Sequence, residues 1–297
     1  MKEIKITGAT GFVGKNLVDY LRNDYQVNTL SLRLVTNPVI DPEDEVIVHL
    51  AGKAHDLQRA AVPSAYYEIN YELTKKLYDA FLKSNAKKFI FISSVKAVSD
   101  VVEGTLTEEE MPKPLTHYGK SKLQAEMYIQ NQLLPDGKMY YILRPCMIHG
   151  PGNKGNLNLL YKFVKMDIPY PLASFANKRS FLSVENLCFV ITKLIQSEAP
   201  SGVYNVADDE AVSTNEVVGI LAASLNKQPK LWAISATFIK SLAKLGDKFR
   251  LPLNTERLTK LTENYVVSND KLKNTLNITL PLATKEGLML TANSFRV

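Results

Sequence analysis

Tyr118 and Lys122 stand four residues apart in "THYGKSK", residues 116–122. On a helix, positions i and i+4 share one face, a turn apart. A phenol titrates near pH ~10 and is a poor base at neutrality, but an adjacent ammonium favours phenolate and lowers that value. The pair therefore suits proton transfer. It equally suits a solvated helix surface, and the spacing alone does not choose between them.

A second candidate lies at the N-terminus. "GATGFVG" sets Gly8, Gly11 and Gly14 three apart between a strand pattern and a helical one. Glycines there permit a tight turn and let backbone N–H groups approach a pyrophosphate at the helix N-terminus. The strand–turn–helix setting makes this signal stronger than the glycines alone.

Elements that could position both groups follow in alternation. Residues 2–7 alternate charged and apolar, and "KNLVDYLRND" has helical spacing of Leu17, Val18 and Leu21. "YQVNTLSL" and "DEVIVHLAG" read as strands, and "YYEINYELTKKLYDAFLKS" as a helix with Ile69, Leu73, Leu77 and Phe81 on one face. "KKFIFISSV" is a strand ending in hydroxyls, "YGKSKLQAEMYIQNQL" a helix, and "MYYILRPCMIHGPG" a strand entering a glycine turn. Such alternation predicts an α/β fold, a doubly wound parallel sheet of Rossmann type. After residue 150 the alternation loosens. We therefore expect a dinucleotide-binding domain over residues 1–150, with a returning segment near 179–208. A smaller C-terminal substrate-binding domain is expected over 151–297.

The 297 residues can bury a substantial core, and 45% hydrophobic with 22% charged residues is ordinary for a globular protein. A net charge of +6 fits an anionic metabolite. The lysines are spread along the chain without a nucleic-acid-binding pattern, so no nucleic-acid partner is expected. Cys146 and Cys188 form no ligand-like spacing, and no metal site is expected. The opening "MKEIKITGATGFVG" lacks a signal-peptide stretch, and no run of about 18 apolar residues occurs. These features predict a cytoplasmic protein without an integral membrane segment. "ISATFIKSLAKLGDKF", residues 234–249, carries Ile234, Phe238, Leu242, Leu245 and Phe249 at helical spacing beside Lys240, Lys244 and Lys248. A basic amphipathic helix can lie on a membrane, but packing of the apolar stripe on the protein's own core is the expectation.

Taken in order, "TGATGFVG", "HLAG" (49–52), Asn70 in "EINYELT", "FISSVKAV" (91–98), "YGKSK", "RPCMIHGPG" and "NKRSFLSVENL" (177–187) span nearly the whole chain. In these pieces the chain resembles an extended short-chain dehydrogenase/reductase of the nucleotide-sugar epimerase/dehydratase family, UDP-glucose 4-epimerase-like in kind. The resemblance implies a catalytic set of Ser94, Tyr118 and Lys122. It implies a dinucleotide held by Gly8, Thr10, Gly11, Phe12, Val13 and Gly14, and by Leu50, Ala51, Gly52, Asn70, Ser93, Tyr118, Lys122, Pro145 and Cys146. For a nucleotide-diphosphate sugar it implies Lys96, Asn156, Arg179 and, more loosely, Arg257, with room for a homodimer.

Three departures from the family pattern narrow the reading. Val95 and Lys96 stand where sugar dehydratases carry acids, which argues against water elimination. Met147 occupies a position where many epimerases have asparagine. Only about a dozen residues separate "LSLR" from "DEVIVHL", too few for the usual helix and strand on the adenine side. An NAD-preferring fold places an acid after the second strand, whereas this chain has Ser31 and Arg33 there, which suit a 2′-phosphate. The expected cofactor is therefore NAD(P), with NADP suggested. Two reactions share the machinery, a 4-epimerase and a 4-ketoreductase acting at sugar C4 in bacterial-type surface polysaccharide precursor synthesis. The trimmed adenine side favours an exchangeable cofactor and hence the reductase. The rival from another class is a non-enzymatic dinucleotide-binding regulator.

Overall fold

The computed structural model describes residues 1–32, 38–53, 62–153, 155–249 and 254–296. Ten strands are found among them: β1 Glu3–Thr7, β2 Gln26–Leu30, β3 Asp44–His49, β4 Lys88–Ile92 and β5 Thr105–Leu106, then β6 Met139–Pro145, β7 Met147–His149, β8 Phe181–Ser183, β9 Gly202–Val206 and β10 Val266–Val267. The helices of the first half are α1 Phe12–Leu21, α2 Ser64–Tyr67, α3 Leu73–Lys83 and α4 His117–Asn131. Those of the second are α5 Asn156–Lys165, α6 Val184–Gln196, α7 Thr214–Ser224, α8 Ala236–Phe249, α9 Thr255–Thr262, α10 Asp270–Leu276 and α11 Thr284–Ser294.

The main sheet runs β2-β1-β3-β4-β6-β9, with every pairing parallel. Parallel strands covered on both faces read as continuous apolar runs, and β4, "KFIFI", is buried at all five positions. One face packs on α1 and α6 through Leu17, Leu21, Leu187 and Ile191. The other packs on α3 and α4 through Leu77, Phe81, Ala125 and Ile129. β9 returns from the second half of the chain to pair with β6. β2 is the outer strand on its side, as the short connection to β3 requires.

Two sequence expectations need correction. The helix over residues 64–83 contains a π-helical turn, Glu68–Glu72. Its extra residue rotates the face by roughly 100°, so Asn70 and Thr74 are buried while Ile69 and Leu73 are only half-buried. The second concerns α8. Its large apolar side chains do not pack on the core: Phe238, Leu242, Leu245 and Phe249 are 57%, 41%, 48% and 61% exposed. The helix instead buries Ile239 and Ala243 against Leu172 and against Leu258 of α9, and Gly246 is buried as well. The bulky stripe lies about a quarter turn from that face, beside the contact and not in it.

Candidate active site

In a parallel sheet, the C-terminal strand ends and the following turns share one edge, where ligands bind. On this edge stand the turn after β1 with Gly8–Gly14, Leu50–Gly52 after β3, Ser93 and Ser94 after β4, and Pro145–Cys146 at the end of β6.

Gly8 has φ of 73°, and a Cβ there would lie 2.6 Å from the Ala51 nitrogen. A Cβ on Gly14 would lie 2.2 Å from the Gly8 oxygen. No other residue fits either place. α1 begins at Phe12 behind Gly11, whose extended backbone offers no side-chain cap, so the first amides of the helix remain available to an anion. Thr10 is exposed beside this turn, and Phe12 and Val13 pack at its back. The Ala51 N–H donates to Thr7 Oγ1 (3.3 Å) and the Leu50 N–H to the Thr7 carbonyl (3.2 Å), fixing the second loop against the first. This cradle fits the pyrophosphate of a dinucleotide. Ser31 is exposed just past β2. Arg33 lies outside the described residues.

Thr116 caps α4, its Oγ1 accepting from the Gly119 N–H (3.2 Å). The helix then carries Tyr118, Lys122 and Glu126 on one line at i, i+4 and i+8. Tyr118 stands beside Ser94, the last residue before a short 3₁₀ turn. Burial pushes the Tyr118 phenol up, while Ser94 pulls it down and Glu126 pushes it up. Lys122 is not among the groups that move the Tyr118 phenol in the protein alone. The Lys122 ammonium instead donates to the Ile92 carbonyl (2.8 Å), turned toward the strand end. It also faces the cleft, since a Cβ on Gly52 would lie 3.1 Å from both Lys122 Nζ and Asn70 Oδ1. Burial lowers the Lys122 pKa to about 8, partly offset by Glu126.

Asn70 is fully buried at the π-helical turn, and its amide donates to the Lys53 carbonyl (3.0 Å) and to Ser121 Oγ (3.0 Å). Its own oxygen accepts from the Lys53 N–H (2.7 Å). Asn70 thus ties the loop after β3 to α4. Two neighbouring clusters were missed in the sequence. His49 bonds Thr7 Oγ1 (2.6 Å) and Thr74 Oγ1 (2.9 Å), and burial with the Lys122 charge lowers its pKa to about 3, keeping it neutral. Glu126 is fully buried and accepts from Ser93 Oγ and from Arg144, whose Nη2 lies 2.6 Å away. The YxxxKxxxE spacing on α4 was a readable sign of Glu126. A polar residue ending the apolar run "VIVH" was the sign of His49.

The candidate substrate residues are spread more widely. Lys96 stands 4.1 Å from the centre of the Tyr265 ring, and burial lowers its pKa, with Asp100 and Glu263 raising it and Arg179 and Lys260 lowering it. Arg179 pairs with Glu263 (3.0 Å) and donates to the Lys260 carbonyl (2.8 Å), while its buried Nε has no partner among the described residues. The structure therefore brings Lys96 and Arg179 into one electrostatic neighbourhood. Asn156 is exposed at the start of α5, and Arg257 is exposed in the first turn of α9. Pro145 and Cys146 pair with Val206, and burial holds the Cys146 thiol well above its usual value. A separate crevice of about 530 Å³, lined by Phe175, Asn177, Lys178 and Val266 among others, contains none of Ser94, Tyr118 and Lys122.

A cleft of this kind belongs to enzymes that bind a dinucleotide along the strand ends and move protons beside it. Within that class, the chain belongs to the NAD dependent epimerase/dehydratase family, whose model matches residues 4–207. It is 33% identical to a UDP-glucose 4-epimerase of Vibrio cholerae, over 99% of this chain and 95% of that protein. It is 29% identical to the N-acetyl-alpha-D-glucosaminyl-diphospho-ditrans,octacis-undecaprenol 4-epimerase of Escherichia coli O157:H7, over 76% of this chain and 73% of that one. Among solved structures, the UDP-N-acetylglucosamine 4-epimerase of Bacillus cereus superposes with a TM-score of 0.78 at 21% identity, covering 100% of both chains. The protein is thus an enzyme of the epimerase/dehydratase type with a nicotinamide dinucleotide as cofactor. No helix among the described residues is long and apolar enough to cross a membrane.

Proposed function

We propose that this chain is a nucleoside-diphosphate-sugar 4-epimerase using NAD(P), with a UDP-linked sugar, serving surface polysaccharide precursor synthesis in the cytoplasm. The observation that carries the reading is Tyr118 beside Ser94 with Lys122 one turn on, facing the loop at Gly52 beside the glycine cradle. The likeness to UDP-glucose 4-epimerase over nearly the full length supports the substrate class and favours the epimerase over the reductase that the trimmed adenine side suggested.

A bound nicotinamide supplies the hydride acceptor or donor and, when oxidised, a positive charge in the cleft. Tyr118 exchanges a proton with the sugar C4 oxygen as that centre is oxidised or reduced. Ser94 donates to the same oxygen and stabilises the charge developing there. Lys122 holds the cofactor side of the cleft, and Asn70 fixes the loop that faces it. Buried Val95 and the cationic Lys96 offer no acid for water elimination, so dehydration forms no part of the proposal.

Interconversion of UDP-sugar 4-epimers without added cofactor, by protein that purifies with dinucleotide, tests the assignment. Stoichiometric NAD(P)H oxidation on adding a UDP-4-keto-sugar, with no epimer formed, would make it a ketoreductase. No turnover of either kind would leave a dinucleotide-binding regulator. Ser31, with Arg33 two residues on, supports NADP, and comparison of NADH and NADPH dissociation constants decides that point.

Two narrower outcomes follow. Because Lys122 loses its charge near pH 8, dinucleotide affinity should fall as pH rises from 7 to 9. Lys122→Met should bind weakly and without that pH dependence, as read by fluorescence titration. The linkage sign is opposite for folding. The unfolded lysine keeps its proton to about pH 10.4, so this group's contribution to stability rises with pH between about 8 and 10.4. Arg179→Ala should raise KM for the nucleotide-sugar by roughly tenfold or more, a charge-assisted hydrogen bond being worth about 1.5–3 kcal/mol. The cofactor dissociation constant should stay unchanged. A lowered melting temperature with unchanged KM would make the Glu263 pair purely structural.

A further inference from the structure

α8 buries only part of its apolar arc, whereas a surface helix usually turns its bulky apolar stripe to the core. At 3.6 residues per turn, Phe238, Leu242, Leu245 and Phe249 fall in one narrow outward stripe. Ile239, Ala243 and Gly246, which pack on the body of the protein, lie about a quarter turn to one side. Lys244 and Lys248 lie about a quarter to a third of a turn to the other, with Lys240 beyond them. All three lysines are exposed, and none forms an ion pair among the described residues. Asp247, the one acid in the helix, is held by the Thr255 N–H and hydroxyl. The exposed surface of α8 is therefore apolar along one line, flanked by a row in which Lys244 and Lys248 stand with the uncharged Thr237 and Ser241.

We propose that α8 docks this protein on the surface of an anionic phospholipid bilayer. Buried apolar area and attraction to anionic headgroups together set the strength of such binding. The stripe enters the headgroup–acyl boundary, while the lysines extend along the headgroups on their flexible stems. The charge pattern selects this occupant over a second copy of the chain. An antiparallel two-fold contact through the same stripe would bring two lysine rows together with no acidic row to answer them. The docking helix packs on α9, whose Lys260 carbonyl accepts from Arg179, so the bilayer-facing helix belongs to the lobe that carries the candidate substrate residues.

Flotation with phosphatidylcholine vesicles, with and without phosphatidylglycerol, tests the proposal on the whole chain. The protein should float with the anionic vesicles at low salt and be released as salt rises. The double variant Phe238→Ser/Leu245→Ser should lower vesicle partitioning by about tenfold or more. Lys244→Gln/Lys248→Gln should do so by roughly tenfold on anionic vesicles. Leu133→Ser, at a residue 92% exposed outside α8, should change nothing. The single tryptophan, Trp232, is 58% exposed four residues before α8 and reports without any substitution. Its emission should shift to the blue on anionic vesicles only. The proposal is overturned if wild-type protein neither floats nor shifts its emission on anionic vesicles. Undiminished flotation of the Phe238/Leu245 variant also overturns it, as does concentration-dependent self-association that the same variant abolishes.

Discussion

Tyr118→Phe should lower turnover by about 10²–10⁴-fold while leaving the fold and dinucleotide affinity nearly unchanged. Phenylalanine keeps the ring and its edge contact with Tyr66, 6.4 Å between centroids. Only the hydroxyl beside Ser94 is lost, and with it the group that exchanges a proton with substrate. Burial raises the Tyr118 pKa, so at neutral pH the free enzyme holds a phenol poised to donate. Abstraction of a proton then requires positive charge nearby. Steady-state kcat, the dinucleotide dissociation constant and the melting temperature separate the possibilities. Turnover within a few-fold of wild type would remove Tyr118 from the chemistry. A parallel loss of cofactor affinity would assign the hydroxyl to binding instead.

The residues on which that expectation rests were unevenly legible in the sequence. Strand–turn–helix order and glycine spacing indicated the cradle because backbone close approach leaves glycine no substitute, and the Gly8 and Gly14 contacts show the same constraint. The Tyr118–Lys122 spacing gave a shared helix face but not the direction of the ammonium. That direction depends on the Ile92 carbonyl, a long-range partner that no local pattern encodes. The π-helical turn was hidden because an apolar periodicity survives one inserted residue with a rotated face. α8 was misjudged for a related reason: periodicity shows which residues share a stripe but not which stripe finds the core. Packing of Ile239 and Ala243 on Leu258 of α9 decided that, and it is a property of tertiary geometry.

Arg144→Met should be among the most destabilising single substitutions in the chain, at about 3–5 kcal/mol. Arg144 and Glu126 are both buried, and the guanidinium reaches the carboxylate through Nε at 3.1 Å to each oxygen and through Nη2 at 2.6 Å. Methionine fills much of the same volume, so the cost comes from leaving Glu126 charged without its partner, not from a cavity. At roughly 2 °C per kcal/mol for a chain of this size, the melting temperature should fall by about 6–10 °C. The double variant Glu126→Gln/Arg144→Met should recover a good part of that loss, because it removes both charges together. Ser93 still has an amide oxygen to donate to in the double variant, which keeps the strand end pinned. The catalytic consequence differs from the stability one. Glu126 raises the pKa of Lys122, so loss of its charge should move the pH dependence of dinucleotide binding below 8 even where stability is restored. Calorimetry of the single and double variants measures the first effect, and fluorescence titration across pH the second. If the single variant melted with wild type, the buried pair would not be holding the β4 and β6 strand ends. If the double variant kept the wild-type pH profile, Glu126 would be structural alone.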